Sequence, residues 1–329
     1  MDNCDSEVIF LIIFRHDILK SKIVSDLALQ RLRRFITHNE GELISFLVNM
    51  WNYEGQAITY KELRESFLYG ALSEELFKEW RRDYARFVTE HLYPKWQEAM
   101  KAANEDLFRR YPDFYFDPTH EGLTKWNQER AAAFVTRETD ATIQGLRAVI
   151  RRASELDGMN VDELGRVIRP MVGLNHRQIN ANINYYKKMI EDGVKPEKAY
   201  EKSVRYTARQ HRYRGQMIAR TELAFSYNHG LLLGVKQAQE QGLLGKCVKV
   251  WSTSGLEADV VDGKKLGGVC DYCKDLAGKI VDLDGEFEFH TNIKDRIVHQ
   301  APPAHPHCMC ALVIREIEPP IEAADNRLQ

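Results

Sequence analysis

From about Asp17 to Gln241, apolar side chains recur every three or four positions, the spacing that lines them along one face of an α-helix. Trp80, Tyr84, Phe87 and Val88 make one such stripe, and Leu146, Val149, Ile150 and Ala153 make another. Helix starts are marked at Ser73-Glu74-Glu75-Leu76 and Asn160-Val161-Asp162-Glu163. In each, a small polar residue precedes acids suited to a helix N-terminus. Breaks fall at Tyr111-Pro112, Asp117-Pro118, Asp157-Gly158, Pro170, Gly173 and from Gly193 to Pro196.

After Gly242 the pattern changes. Helical periodicity stops, glycine becomes frequent, and strand-like runs appear at 246–251, 279–283 and 311–317. The tail from Glu318 is polar and opens on Glu-Pro-Pro, the composition of a mobile end. The expected fold class is mainly α: long helical N-terminal and middle regions followed by a small α+β C-terminal unit.

Composition adds bounds. A chain of 329 residues suits two or three domains, and 44% apolar residues is enough to build cores. A net charge of −2 argues against a general coat of positive charge for nucleic acid, though not against a local basic patch. The run Val8 to Phe14 is too short to span a bilayer. Asp2, Asp5 and Glu7 precede it in place of a basic leader segment, so a cytosolic product with no membrane association is expected. The run itself reads as a buried strand, a helix start or a docking segment.

Four of the six cysteines fall in two close pairs, Cys270/Cys273 and Cys308/Cys310, separated by 34 residues. In a reducing compartment such pairs point to metal before disulfide. C-x2-C has a hairpin-like spacing that turns two thiolates toward one ion. C-x-C on an extended chain projects both sulfurs to one side. Four thiolates make a closed tetrahedral zinc site, with His305 or His307 able to replace one of them. Reduced core thiols and redox chemistry are the alternatives. A catalytic metal is disfavoured, because no H-x-E or H-E-x-x-H accompanies the cysteines. The enzymatic alternative is a metal-dependent nuclease or hydrolase acting on nucleic acid, using His290, His299, His305 and His307 with Glu222 as a catalytic glutamate.

Between Lys202 and Arg220 there are six basic residues and no acid. Lys202, Arg205, Arg209, Arg212 and Arg220 share one sector of a helix, while Arg214 falls outside it. Such a stripe suits DNA or another anionic partner, or is a solvated face paired with acids elsewhere. Next comes Ile218-Ala219-Arg220-Thr221-Glu222, then Asn228 and Gly230. Arg220 and Glu222 are two apart, so they face different neighbours. The structural reading is a buried, hydrogen-bonded junction that docks this helix onto the C-terminal unit.

Taken in order, these segments resemble the phage Mu F-like minor head proteins, also called phage head morphogenesis proteins. The resemblance rests on Ile218 to Glu222, then Asn228 and Gly230, then Trp251, then Cys270 and Cys273 followed by Leu276 and Gly278. It closes on Pro302-Pro303-Ala304-His305-Pro306-His307-Cys308-Met309-Cys310. It is clearest from about Ala133 to Ile314. The family carries Asn and Arg where this chain has His307 and Met309.

The resemblance implies a portal-facing helical region over 1–117 and a head morphogenesis domain over 118–315, helical to 245 and metal-clipped from 246. A polar tail follows over 316–329. It further implies a non-enzymatic minor capsid protein that meets portal, capsid and scaffold proteins in the bacterial cytoplasm. Such a protein is retained inside the virion head, and in some relatives it aids DNA packaging or release.

Overall fold

A computed structural model describes residues 20–69, 73–153, 161–253, 259–261, 264–266, 269–290 and 296–319. The Val8 to Phe14 run, the Asp157-Gly158 break, Asn160 and the end of the tail lie outside these residues.

Helix dominates up to Glu240: α1 (Lys20–Ala57), α2 (Tyr60–Tyr69), α3 (Glu74–Phe87), α4 (Tyr93–Ala103), α5 (Glu105–Arg110), α6 (Glu121–Ala153), α7 (Val161–Ile168), α8 (His176–Glu191) and α9 (Pro196–Glu240). A π-helical turn, Val88–Leu92, joins α3 to α4. Local chemistry sets several starts. Ser73 caps α3 by accepting the Leu76 N–H at 3.3 Å. Asn175 and Gln178 close a reciprocal capping box on α8.

The C-terminal region supplies β1 (Cys247–Ser252), β2 (Asp259–Val261), β3 (Lys264–Leu266), α10 (Asp271–Leu276), β4 (Ile280–Asp282), β5 (Phe287–His290), β6 (Arg296–His299) and β7 (Ala311–Glu316). The three strand-like runs of the sequence correspond to β1, β4 and β7. They form one antiparallel sheet in the order β4-β1-β7, with Val248 opposite Asp282 and Trp251 opposite Leu312. Two further antiparallel pairs, β2-β3 and β5-β6, complete the strands of the described residues.

The chain divides into two compact units. One comprises residues 1–40, 95–124 and 220–329, and the other residues 41–94 and 125–219. The long helices α1 and α9 thus contribute to both. In the second unit the stripes anticipated from sequence are core: Trp80, Tyr84, Phe87, Leu146, Val149 and Ile150 are all buried. Trp51 is fully buried and donates through Nε1 to the Tyr84 hydroxyl at 2.8 Å. Gly173 takes φ +84 against the Trp51 ring, leaving no room for a Cβ.

An ionic group lies inside the same core. Arg214, 1% exposed, donates to Glu138 at 2.8 Å and to the Gly173 carbonyl, and its guanidinium lies 5.4 Å from the Trp51 ring centre. Burial pushes the Glu138 carboxyl up, but Arg214 and Arg137 outweigh it and hold the pKa below the ordinary value. Glu54 is 1% exposed, and among the described residues neither carboxylate oxygen has a hydrogen-bond partner. Burial, reinforced by Asp83, drives its pKa well up against the opposing pull of Arg214.

In the first unit, α9 meets α4 at Gly230. A Cβ there would stand 2.5 Å from the Met100 Cα, and Asn104 donates to the Gly230 carbonyl at 2.9 Å. Among the described residues, no helix is long and apolar enough to cross a membrane.

Candidate metal centre

Cys270 is the N-cap of α10, and its sulfur accepts the Cys273 N–H at 3.4 Å. The C-x2-C pair therefore sits on the first turn of a short helix, where the sequence suggested a hairpin-like spacing. Cys308 and Cys310 arrive on the segment leading into β7, after a cis Pro302-Pro303 peptide bond. Cys273, Cys308 and Cys310 are buried, whereas Cys270 is exposed.

Two ligand groups result, Cys270-Cys273-His305 and Cys273-Cys308-Cys310, each with its donor atoms within 4.8 Å of one another. Cys273 belongs to both. Its sulfur is 3.7 Å from Cys308 Sγ and 3.3 Å from His305 Nε2, and Cys270 Sγ is 3.0 Å from that nitrogen. A tetrahedral ion with metal–sulfur bonds of about 2.3 Å separates its sulfurs by about 3.8 Å. The Cys273–Cys308 edge already has that length. His305 Nδ1 donates to the Pro306 carbonyl at 2.8 Å, which leaves Nε2 with its lone pair toward the sulfurs. The cluster can therefore hold a metal ion, with five donors available for the usual four positions.

Proton sharing inside the cluster is strong. Hydrogen bonds from the Cys273 and Cys310 thiols pull Cys308 down toward the thiolate, while Cys273 is pushed up because it keeps its proton and donates hydrogen bonds to Cys308 and Cys310. At Cys310 a hydrogen bond with Cys273 lowers the pKa, but the bond to Cys308 and burial dominate and push it up to about 12. A bound cation must expel these retained protons. Cys247 stands apart from both groups: burial pushes its thiol up to about 12, and it behaves as a plain core thiol.

His307 is in neither ligand group among the described residues. It takes a left-handed φ of 61, a conformation in which Asn, Asp and His are the favoured non-glycine residues. Its N–H donates to the Thr221 hydroxyl at 3.2 Å. His299 accepts or donates at 3.1 Å with the Tyr272 hydroxyl, and the Tyr272 ring stacks 3.9 Å from Phe289 and flanks His305. Tyr272 was not singled out by sequence. Its position inside the C-x2-C pair was the available signal.

The helix carrying Arg220, Thr221, Glu222 and Asn228 meets this module directly. Asn228 Nδ2 donates to the Cys310 carbonyl at 3.2 Å, and its Oδ1 accepts the Leu312 N–H at 2.7 Å. β7 is an edge strand, and the Asn228 amide satisfies one of its outward backbone groups and the carbonyl just before it, as a neighbouring strand would. Arg220 turns the other way and pairs with Glu40 of α1, Nη2 to Oε1 at 3.0 Å. That pairing raises the Arg220 pKa. Glu222 is fully buried in α9 and belongs to neither ligand group.

Lys202, Arg205, Arg209 and Arg212 are exposed on α9, while Arg214 is buried. Arg205 reaches Glu201 at 3.6 Å, and Arg209 lies 5.7 Å from the Tyr206 ring centre. No protein-family model, curated protein or solved structure matches this chain.

Proposed function

We propose that this chain is a phage or prophage minor capsid protein acting in head morphogenesis. It associates with the portal, works without catalysis of its own and is retained inside the head. One observation carries the reading. The Thr221 and Asn228 side chains of the Ile218-Ala219-Arg220-Thr221-Glu222 helix hydrogen-bond the backbone of the His307 to Leu312 segment. The two halves of the pattern that resembles Mu F-like proteins thus form one structural element, as a shared family module requires. The ion is zinc, the metal best suited to a closed thiolate-rich tetrahedral site, and its role is to tie down the small module. Expression with the cognate portal and capsid proteins tests the function: the chain should co-purify with portal oligomers and be detected in purified heads. Absence from both defeats the proposal.

The exposed row of Lys202, Arg205, Arg209 and Arg212 favours an added role in contacting the packaged genome, and so in packaging or ejection. Such contacts would be made to phosphates. Affinity for duplex DNA should then fall steeply with salt and be indifferent to sequence. Salt-independent binding, or none, removes this second role.

A further inference from the structure

Helix α1, the α4-α5 corner and the C-terminal part of α9 line a groove of about 430 Å³ in the first unit, a volume within the range of small-molecule sites. Three of its side chains carry donors that meet no protein partner among the described residues: Arg34, His38 and Tyr227. Arg34 and His38 are exposed, and four residues separate them, so they lie one above the other on α1. Tyr227 is 4% exposed. Its hydroxyl is the one polar atom on a buried ring, and the residue lines the groove.

The neighbouring polar groups are already engaged. Arg31 pairs with Asp106, and Asn39 accepts from Lys95 at 3.2 Å while donating to the Phe35 carbonyl at 2.9 Å. The Phe35 ring lies 5.6 Å from that of Tyr227 and gives the groove an apolar wall. Glu105 is the one carboxylate on its lining. Burial holds the Tyr227 phenol above its ordinary pKa, so at neutral pH it remains a donor.

We propose that this groove binds a phosphate monoester of nucleotide size, with the phosphate held by Arg34, His38 and the Tyr227 hydroxyl and the organic part against Phe35. Three separate donors match the three free oxygens of a monoester better than the two of an internal phosphodiester or a carboxylate. The apolar wall has no use for a bare inorganic ion.

Titration calorimetry of the full chain with 5′-AMP, inorganic phosphate and adenosine tests this. One saturable site for AMP is expected, with phosphate about tenfold weaker and adenosine weaker still. Arg34→Ala should weaken AMP binding at least about tenfold, the loss expected for one charge-assisted hydrogen bond. Tyr227→Phe should weaken it a few-fold, and Glu105→Gln should tighten it by removing a like charge. Circular dichroism establishes that each variant is folded. The proposal is overturned by any of three results: no saturable AMP binding up to about 10 mM, AMP affinity unchanged in folded Arg34→Ala, or phosphate binding as tightly as AMP. Displacement of AMP by a single-stranded oligonucleotide at far lower concentration overturns it too, in favour of a polymer site.

Discussion

The second unit and the cysteine-rich end of the first solve the same problem differently. The second unit stacks long helices and closes a core around Trp51, Trp80, Tyr84 and Leu146, rich enough in apolar volume to carry buried ions. The C-terminal module has short strands and a six-residue helix, and its small core is built from Trp251, Leu276, Phe287, Leu312 and Ile314. There, a cluster of thiols and an asparagine clamp add to that core. Both regions bury charge, Arg214 and Glu138 in one and Lys249 and Glu316 in the other; the C-terminal module is set apart by a thiol cluster able to hold a metal and by explicit hydrogen bonds from Asn228.

The largest effect that separates the two is expected from Cys273→Ser. This residue belongs to both ligand groups, and a structural zinc site contributes about 10–16 kcal/mol of apparent free energy. Bound metal and protease resistance across 246–319 should both be lost, while the helical circular dichroism of the second unit persists. Cys270→Ser should do less, because Cys270 is exposed and His305 stands beside it. Retained protease resistance in metal-free protein would erase the contrast.

Arg214→Met comes next. It strands Glu138 in the core and should cost about 3 kcal/mol or more in urea unfolding. A loss below about 1 kcal/mol would mean that Arg137 alone satisfies Glu138. Asn228→Ala follows, at about 2 kcal/mol, because it exposes the edge of β7 while removing little volume. Its signature is faster exchange of the Leu312 amide with the second unit unchanged.

The smallest effect has the opposite sign. Glu54 has a folded pKa above its unfolded value, so its contribution is complete below about pH 4.3 and is lost as pH rises toward the folded pKa. Glu54→Gln should therefore stabilise the protein by about 1 kcal/mol at pH 7 and by progressively less toward pH 4. A pH-independent difference would show that the carboxyl is not the titrating group.

Much of this arrangement was legible in the chain. Helix periodicity, the Ser73 cap and the three strand runs needed only neighbours a few residues away, which is the range over which backbone geometry and burial pattern repeat. The cysteine pairs were legible because thiolate spacing is itself a short-range code. Arg214 was already set apart from the basic stripe by its angular position on the helix.

Other features involve partners that no local pattern encodes. Glu40 meets Arg220 across 180 residues of sequence, and Asn228 reaches Cys310 and Leu312 across more than 80. His307 is a candidate ligand by residue type, but it lies in neither ligand group among the described residues, and its left-handed φ is a backbone feature that residue type alone does not reveal. The sharing of α1 and α9 between two units was likewise decided only on folding. A helical stripe states that a face is buried, but not against which neighbour. That choice is made by packing and by the need to pair every buried polar group, and both are properties of the assembled chain.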